Sequence, residues 1–366
     1  MNHYIIDCEV YQNYFLLYAK QHNGEKTFTF EAFDNQSLSQ EQINTIGRMM
    51  RQTVTQSFNG NGYDLYIIAY ALSGATTQQI KKLSDTIIKS QLPPYRIADQ
   101  YNIRVPNWNH IDIIEVAPGQ VSLKLYGARL NSPSIQDLPY PENAKLTREQ
   151  CEHVKSYCFN DLLETERLFN ALAPQIKLRE QMGEMYGLDL RSKSDAQIAE
   201  AVIKSELEKL TGKQYRKPNV ADDATFRYRD PKIITFESEQ LKTVFDRILS
   251  EHFKLAGNGS MKMPDWLAKT TINIGRSQYQ MGIGGLHSCE SAQYVQADDD
   301  YKLIDADVAS YYPSIILQQG LAPATLGEPF LKVYQSIVDR RLQAKKSAAE
   351  LAKKIEIIEK KLAEKH

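Results

Sequence analysis

Asp7 and Glu9 stand two residues apart in the stretch HYIIDCEVY, with Ile5 and Ile6 before them and Val10 after. On an extended chain, residues two apart share a face. The two carboxylates would therefore converge beside apolar core, which is unfavourable unless a cation joins them. Hard oxygen donors suit Mg2+ or Mn2+. Taken alone, such a pair is more simply read as an exposed strand end. Asp64 comes directly before the apolar run LYIIAYAL, behind Asn59 and Tyr63, and its flanking glycines also suit a plain turn. Tyr157 and Asp161 lie four apart in YCFNDLLET, on one face if helical, where a solvated face is the simpler alternative. A second acidic stretch, IDADVASYYPSII, sets Asp305 and Asp307 at the end of a short apolar run, followed by Ser310, Tyr311 and Tyr312. Upstream, YQMGIGGLHS contains Gly284 and Gly285, and a glycine-rich turn lets backbone amides approach phosphates closely. Arg341 and Lys345 stand one helical turn apart near the C-terminus.

The elements that must position these groups follow from patterning. HYIIDCEVYQNYFLLYAKQ reads as two strands and TFTFEAF as a third. SLSQEQINTIGRMMRQTV reads as a helix capped by Ser37 or Ser39. LYIIAYAL is strand-sized, TTQQIKKLSDTIIKSQ helical and HIDIIEV another strand. The segment from Leu146 to Leu172 is a long helix capped by Thr147, with a possible break near Cys158. Interleaved strands and helices over the first half imply a mixed α/β domain. Beyond it come a helix stopped by Gly212, an extended TFRYRDPKIITF, a helix capped by Ser238, and strands and turns up to Tyr312. A long final helix from Leu331 carries the heptad-like seam Ala348, Leu351, Ile355, Ile358 and Leu362.

Composition narrows the class. The chain has 366 residues, 42% of them apolar and 24% charged, which suits two or three globular domains. A net charge of −1 gives no overall pointer to nucleic acid, so only a local basic surface could bind it. From Leu331 to Lys365, ten Lys and Arg stand against five Asp and Glu, a local excess that suits a phosphate-facing element. The four cysteines have no metal spacing, as expected of reduced thiols in a cytosolic protein. No run is long enough to span a bilayer, and no secretory signal opens the chain.

Taken in order, D-x-E, N-x3-YD and YxxxD resemble the Exo I, Exo II and Exo III motifs of the 3′–5′ proofreading exonucleases of family-B DNA polymerases. The resemblance implies an RNase H-like fold whose mixed sheet gathers Asp7, Glu9, Asp64 and Asp161 around two Mg2+ or Mn2+ ions. Two ions about 4 Å apart supply the attacking hydroxide and stabilise the leaving oxygen in phosphodiester hydrolysis. It further implies that Tyr157 orients the water, and that Asn59 and Tyr63 contact a single-stranded 3′ end. In VSLKLYG, Ser122 and Leu123 resemble a short element that touches single-stranded DNA in protein-primed phage polymerases, although a plain strand explains so short a stretch better. DADVASYYPSII resembles polymerase motif A. That implies Asp307 and the Val308 carbonyl as metal ligands, with Ser310, Tyr311 and Tyr312 lining an incoming dNTP. Gly284 and Gly285 resemble, more loosely, a region that contacts primer-template DNA. Arg341 and Lys345 resemble the basic residues that family-B fingers carry at similar places to bind the triphosphate, although a solvated basic helix face would explain them equally well.

The expected organisation is an RNase H-like exonuclease domain over 1–185, a helical linker and palm entry over 186–275, an α+β partial palm over 276–330 and a first fingers helix over 331–366. Polymerase motifs B and C do not follow motif A, so polymerisation would require a C-terminal polymerase subunit supplied by another chain, as in a split gene, or a truncated sequence. The resemblance implies a phage protein acting in the cytoplasm of a bacterial host. The alternative is a non-catalytic DNA-binding or partner-binding subunit of a replication complex with the same fold.

Overall fold

The computed structural model describes the chain except for residues 1, 91, 217–220, 222, 256–259, 276, 283–284 and 364–366. It is a mixed α/β protein that divides into two compact units. One comprises residues 1–213 with 326–337, the other 214–325 with 338–366.

The first unit is built on a five-stranded sheet. Strands β1 (His3–Tyr11), β2 (Tyr14–Gln21) and β3 (Thr27–Phe33) form an antiparallel meander, and their apolar and aromatic runs predict the three strands. Strands β4 (Val54–Ser57) and β5 (His110–Asp112) add in parallel on the other side of β1, giving the order β3-β2-β1-β4-β5. The helices of this unit are α1 (Gln40–Gln52), α2 (Asp64–Leu72), α3 (Thr77–Ser90), α4 (Pro94–Gln100), α5 (Leu123–Arg129), α6 (Arg148–Ala171), α7 (Ala173–Tyr186) and α8 (Asp195–Thr211). The alternation of β1 decides what each face receives. Tyr4, Ile6 and Cys8 enter a core with Phe15, Leu17 and residues of α1 to α4. Tyr11 faces the other way and joins Tyr14, Leu16, Cys151, Val154 and Cys158, the last three from α6.

Both faces are secured by well-defined helix starts. Ser39 with Gln42 and Thr147 with Gln150 form reciprocal capping boxes at α1 and α6. Helix α6 is further tied to the tight β1–β2 turn by Asn13. Its side-chain oxygen accepts from Leu146 N–H (2.8 Å) and its amide donates to Leu146 O (3.0 Å).

Several sequence expectations are corrected. LYIIAYAL is helix α2, not a strand. A short run that is apolar on all sides carries no period to tell a strand from a buried helix. Here the Asn59–Tyr63 turn, with Asn59 at φ +68°, redirects the chain away from the sheet. VSLKLYG is likewise helical: Ser122 caps α5, its hydroxyl accepting from Leu125 N–H at 3.4 Å. Helix α6 runs unbroken through Cys158, and Val54 belongs to β4 rather than to α1.

The second unit holds two three-stranded sheets, β6 (Thr225–Phe226), β7 (Phe253–Leu255) and β8 (Met261–Lys262), and β9 (Thr271–Ile274), β10 (Ser277–Gly282) and β11 (Gly285–Ser288). Its helices are α9 (Glu239–Ser250), α10 (Asp265–Ala268), α11 (Tyr311–Gln318) and the greater part of α12 (Glu328–Ala363). The expected strands between Ala292 and Tyr312 do not form, and only two residues of TFRYRDPKIITF are in a strand. Leu303 and Ile304 are 63% and 83% exposed, with no strand paired to them among the described residues. An extended segment without a ladder leaves its amides to water and has no sheet to stabilise it. No helix among the described residues is long and apolar enough to cross a membrane.

Candidate metal and nuclease site

The parallel ladder between β1 and β4 is short, pairing His3, Tyr4 and Ile5 with Val54, Thr55 and Gln56. Beyond it the edge of β1 is open, and the turn after β4 fills the gap. Cys8 N–H, facing that gap, donates to Asp64 Oδ1 at 3.1 Å. Asp64 is the first residue of α2 and is 3% exposed. The sheet therefore splays where Asp7 and Glu9 project, and the N-terminus of α2 delivers a third carboxylate. Helix α6 crosses the face that carries Asp7 and Glu9, with Cys158 Sγ 3.5 Å from Asp7 Oδ2. Asp161 follows three residues later, hydrogen-bonded by the hydroxyl of Tyr157 on the preceding turn.

The electrostatics of this recess are one-sided. Burial, then the charges of Asp64 and Asp161, push the Asp7 carboxyl well above the usual range. Burial, then Asp7, Asp161 and Asp64, do the same to Glu9, with Lys124 pulling weakly the other way. Asp64 is pushed up to about 7 by burial and then by Asp112. Burial raises Asp161 against the opposing Tyr157 hydrogen bond and Lys124. Tyr157 is held up by burial and by Asp161. Four carboxylates thus act on one another, and Lys124 is the cation that opposes Glu9 and Asp161. Its Nζ lies 5.8 Å from the Tyr157 ring centroid and pairs with Asp137 at 2.9 Å. Clustered acids with too little positive charge are what a divalent cation would neutralise. One ligand atom each from Asp7, Glu9 and Cys158 already lie within 4.8 Å of one another. The residues fit a hard divalent ion held by Asp7 and Glu9, with Asp64 and Asp161 in reach by charge.

A buried polar layer supports the turn that carries Asn59. Asp112, at the end of β5 and 1% exposed, accepts from Asn59 N–H (2.8 Å), Asn61 N–H (2.8 Å) and Ile114 N–H (3.1 Å). His110 lies between Thr55 Oγ1 (2.8 Å) and Ser57 Oγ (3.0 Å), and burial lowers its pKa to about 3, keeping it neutral. Gly60 passes so close that a Cβ there would run into Ser57 Oγ and His110 Nε2.

Sequence reasoning missed Asp112, Lys124 and Cys158. Asp112 carried a signal like that of Asp7, an acid directly after isoleucine in an apolar strand. Lys124 directly follows Ser122 and Leu123. Cys158 carried no spacing signal at all.

The remaining candidate residues are distributed as follows. Asn59 is exposed at the mouth of the turn. Tyr63 is turned inward, its hydroxyl 2.7 Å from Ser84 Oγ. Ser122 is occupied as a helix cap, and Leu123 packs against the core of Ile111, Ile113 and Tyr126. In the second unit Asp307, Val308, Tyr311 and Tyr312 are exposed, the two tyrosine rings 5.4 Å apart. Ser310 adopts φ +52° at the start of α11, and Arg341 donates to its hydroxyl at 3.3 Å. Lys345 is exposed on α12, Gly285 opens β11 at φ +145°, and Gly284 lies outside the described residues. No protein-family model, no curated protein and no solved structure matches the chain.

Proposed function

We propose that the first unit is an RNase H-like 3′–5′ exodeoxyribonuclease, the proofreading part of a family-B DNA polymerase. The observation that carries this reading is the convergence of Asp7, Glu9, Asp64 and Asp161 on the splayed end of the sheet, with Tyr157 beside them. The strand order, with an antiparallel meander followed by two parallel strands, supports the RNase H-like assignment. Bound Mg2+ or Mn2+ would supply Lewis acidity to the attacking water and to the leaving 3′ oxygen. The chain's own residues prepare the rest. Asp7 and Glu9 offer oxygens from one face of a rigid strand, and Asp64 and Asp161 close the recess from two helices. The Tyr157 hydroxyl, tethered to Asp161, is set to orient water. Asn59, which is exposed, would contact the single-stranded 3′ end.

The second unit would contribute half of a polymerase site through Asp307, the Val308 carbonyl, Ser310, Tyr311 and Tyr312. The Arg341–Ser310 hydrogen bond supports this part, because it brings the basic helix α12 to the segment that would line a dNTP triphosphate. A polymerase site built on Asp307 would need a further carboxylate from outside residues 1–366, so these residues by themselves are expected not to extend a primer.

The test is degradation of a 5′-labelled single-stranded oligodeoxynucleotide by the purified chain. A ladder of shortened products is expected with Mg2+ or Mn2+ and none with EDTA. Changing Asp7 and Glu9 together to Ala should slow it at least about a hundredfold, since even ligand-supporting residues are worth about 10–100-fold. Equal rates for the double variant and the parent would refute the site. No metal-dependent degradation by the parent would favour a non-catalytic DNA-binding or partner-binding subunit.

A further inference from the structure

We infer that Cys158 gives the Asp7–Glu9 recess a third, soft donor. Through it the metal-free protein takes up one Zn2+ or Cd2+ ion by two carboxylate oxygens and one thiolate sulfur. The inference rests on the reading that Asp7 and Glu9 receive a cation, and adds a ligand and a class of ion that the hard-donor site does not call for.

The geometry carries it. Asp7 and Glu9 reach from one face of β1, and Cys158 reaches from α6. One ligand atom from each lies within 4.8 Å of the other two. The cysteine is 0% exposed, and its sulfur is directed at Asp7 Oδ2 from 3.5 Å. Zn–S is about 2.3 Å and Zn–O about 2.0–2.2 Å, so donors around one tetrahedral ion stand roughly 3.5 Å apart. Side-chain adjustment of about 1 Å closes the group on an ion. Cys151, on the same helix and equally buried, joins no such group of donors among the described residues. A buried cysteine ordinarily acts as a small apolar side chain. What sets Cys158 apart is that two carboxylates crowd its sulfur from the facing strand.

The chemistry discriminates between ions. Thiolate selects Zn2+ and other soft ions, whereas carboxylate and water suit Mg2+ and Mn2+. As the sulfur–metal bond forms, the thiol proton leaves to solvent. At least this one proton is released per ion, and no oxidation state changes. Soft ions would then occupy the recess in competition with Mg2+, and Zn2+ or Cd2+ should inhibit DNA degradation.

The experiment is a Cd2+ titration of EDTA-stripped, reduced protein in a Cys289→Ser background, which removes the exposed thiol. Thiolate-to-cadmium charge-transfer absorption is recorded, and affinity is measured by competition with a chromophoric chelator. One ion per chain with a charge-transfer band is expected. Cys158→Ser should abolish the band and weaken Cd2+ binding at least about a hundredfold, beyond the 10–100-fold of ligand-supporting residues. Cd2+ should raise the melting temperature of the parent and not of Cys158→Ser, a readout that also detects a variant that fails to fold. No band in the parent overturns the inference. So does a band kept in Cys158→Ser and lost in Cys8→Ser. The two readings separate cleanly. A Cys158-dependent band in a protein without Mg2+-dependent nuclease activity supports the inference and removes the proposed function. Nuclease activity without the band does the reverse.

Discussion

Replacing Asp64 by asparagine should change how the stability of the metal-free protein depends on pH. The carboxyl of Asp64 is raised from 3.8 to about 7, so between these values the folded protein holds a proton that the unfolded chain has released. Stability therefore falls as pH rises through that window, fully present below about pH 4 and gone above about pH 7. A shift of about three units at 1.36 kcal/mol each is worth about 4 kcal/mol. His110 works against this in the raw curve. Its pKa is lowered to about 3, so the unfolded chain takes a proton that the folded one refuses, and stability rises with pH up to about 6.5. Comparing parent with variant cancels His110. The asparagine amide keeps an oxygen for Cys8 N–H and removes only the titration. In EDTA, urea unfolding should show Asp64→Asn gaining on the parent by up to about 4 kcal/mol between about pH 4 and pH 7.5. The raised carboxyls of Asp7 and Glu9, each pushed partly by Asp64, add to the gain. Mn2+ should cancel the gain by stabilising the parent. A parent–variant difference that stays constant over this range would refute the electrostatic account of the recess.

Asp112→Ala removes the acceptor of three N–H groups, each bond to a charged group being worth about 1.5–3 kcal/mol. Relief of its repulsion with Asp64 offsets part of this, so urea unfolding should give a net loss of about 2–4 kcal/mol, with a raised KM for single-stranded DNA. Gly60→Ala forces a methyl into Ser57 and His110 and should cost about 1–3 kcal/mol, measured by thermal melting. Tyr157→Phe should lower kcat about 10–100-fold with KM little changed, and an unchanged kcat would remove Tyr157 from the chemistry.

The meander and the long helix were legible because their signals are local. β1 to β3 are runs of apolar and aromatic residues with few helix formers, and Thr147 stands where a helix cap is expected. The four acids were legible as residue types at a spacing. What makes them a site, the short β1–β4 ladder and the Asp64 carboxylate on Cys8 N–H, depends on pairing between distant segments and has no local signature. LYIIAYAL misled for a related reason. Burial on all sides erases the period on which the reading depends, and only the turn before it decides its direction. Cys158 was invisible because its significance comes from residues about 150 positions away, on another element. In the second unit, the apolar residues near Asp307 suggested a strand, but a strand is defined by its partner, and none pairs with that segment among the described residues.

The Asn13 clamp has a kinetic consequence. Its two hydrogen bonds to Leu146 join residues 133 apart, so they form only after the intervening chain has folded or been looped out. The entropy of closing a loop grows slowly with length but must be met before the contact stabilises anything. The hairpin that presents Asp7 and Glu9 can form early from neighbouring residues. Tyr157, Cys158 and Asp161 arrive only when α6 docks. Assembly of the recess is therefore a late folding event, and its loss an early one on unfolding. A local opening that released Asn13 from Leu146 would dismantle the site while the meander stayed intact, so amide exchange in the first turn of α6 should run ahead of exchange in β1 and β2.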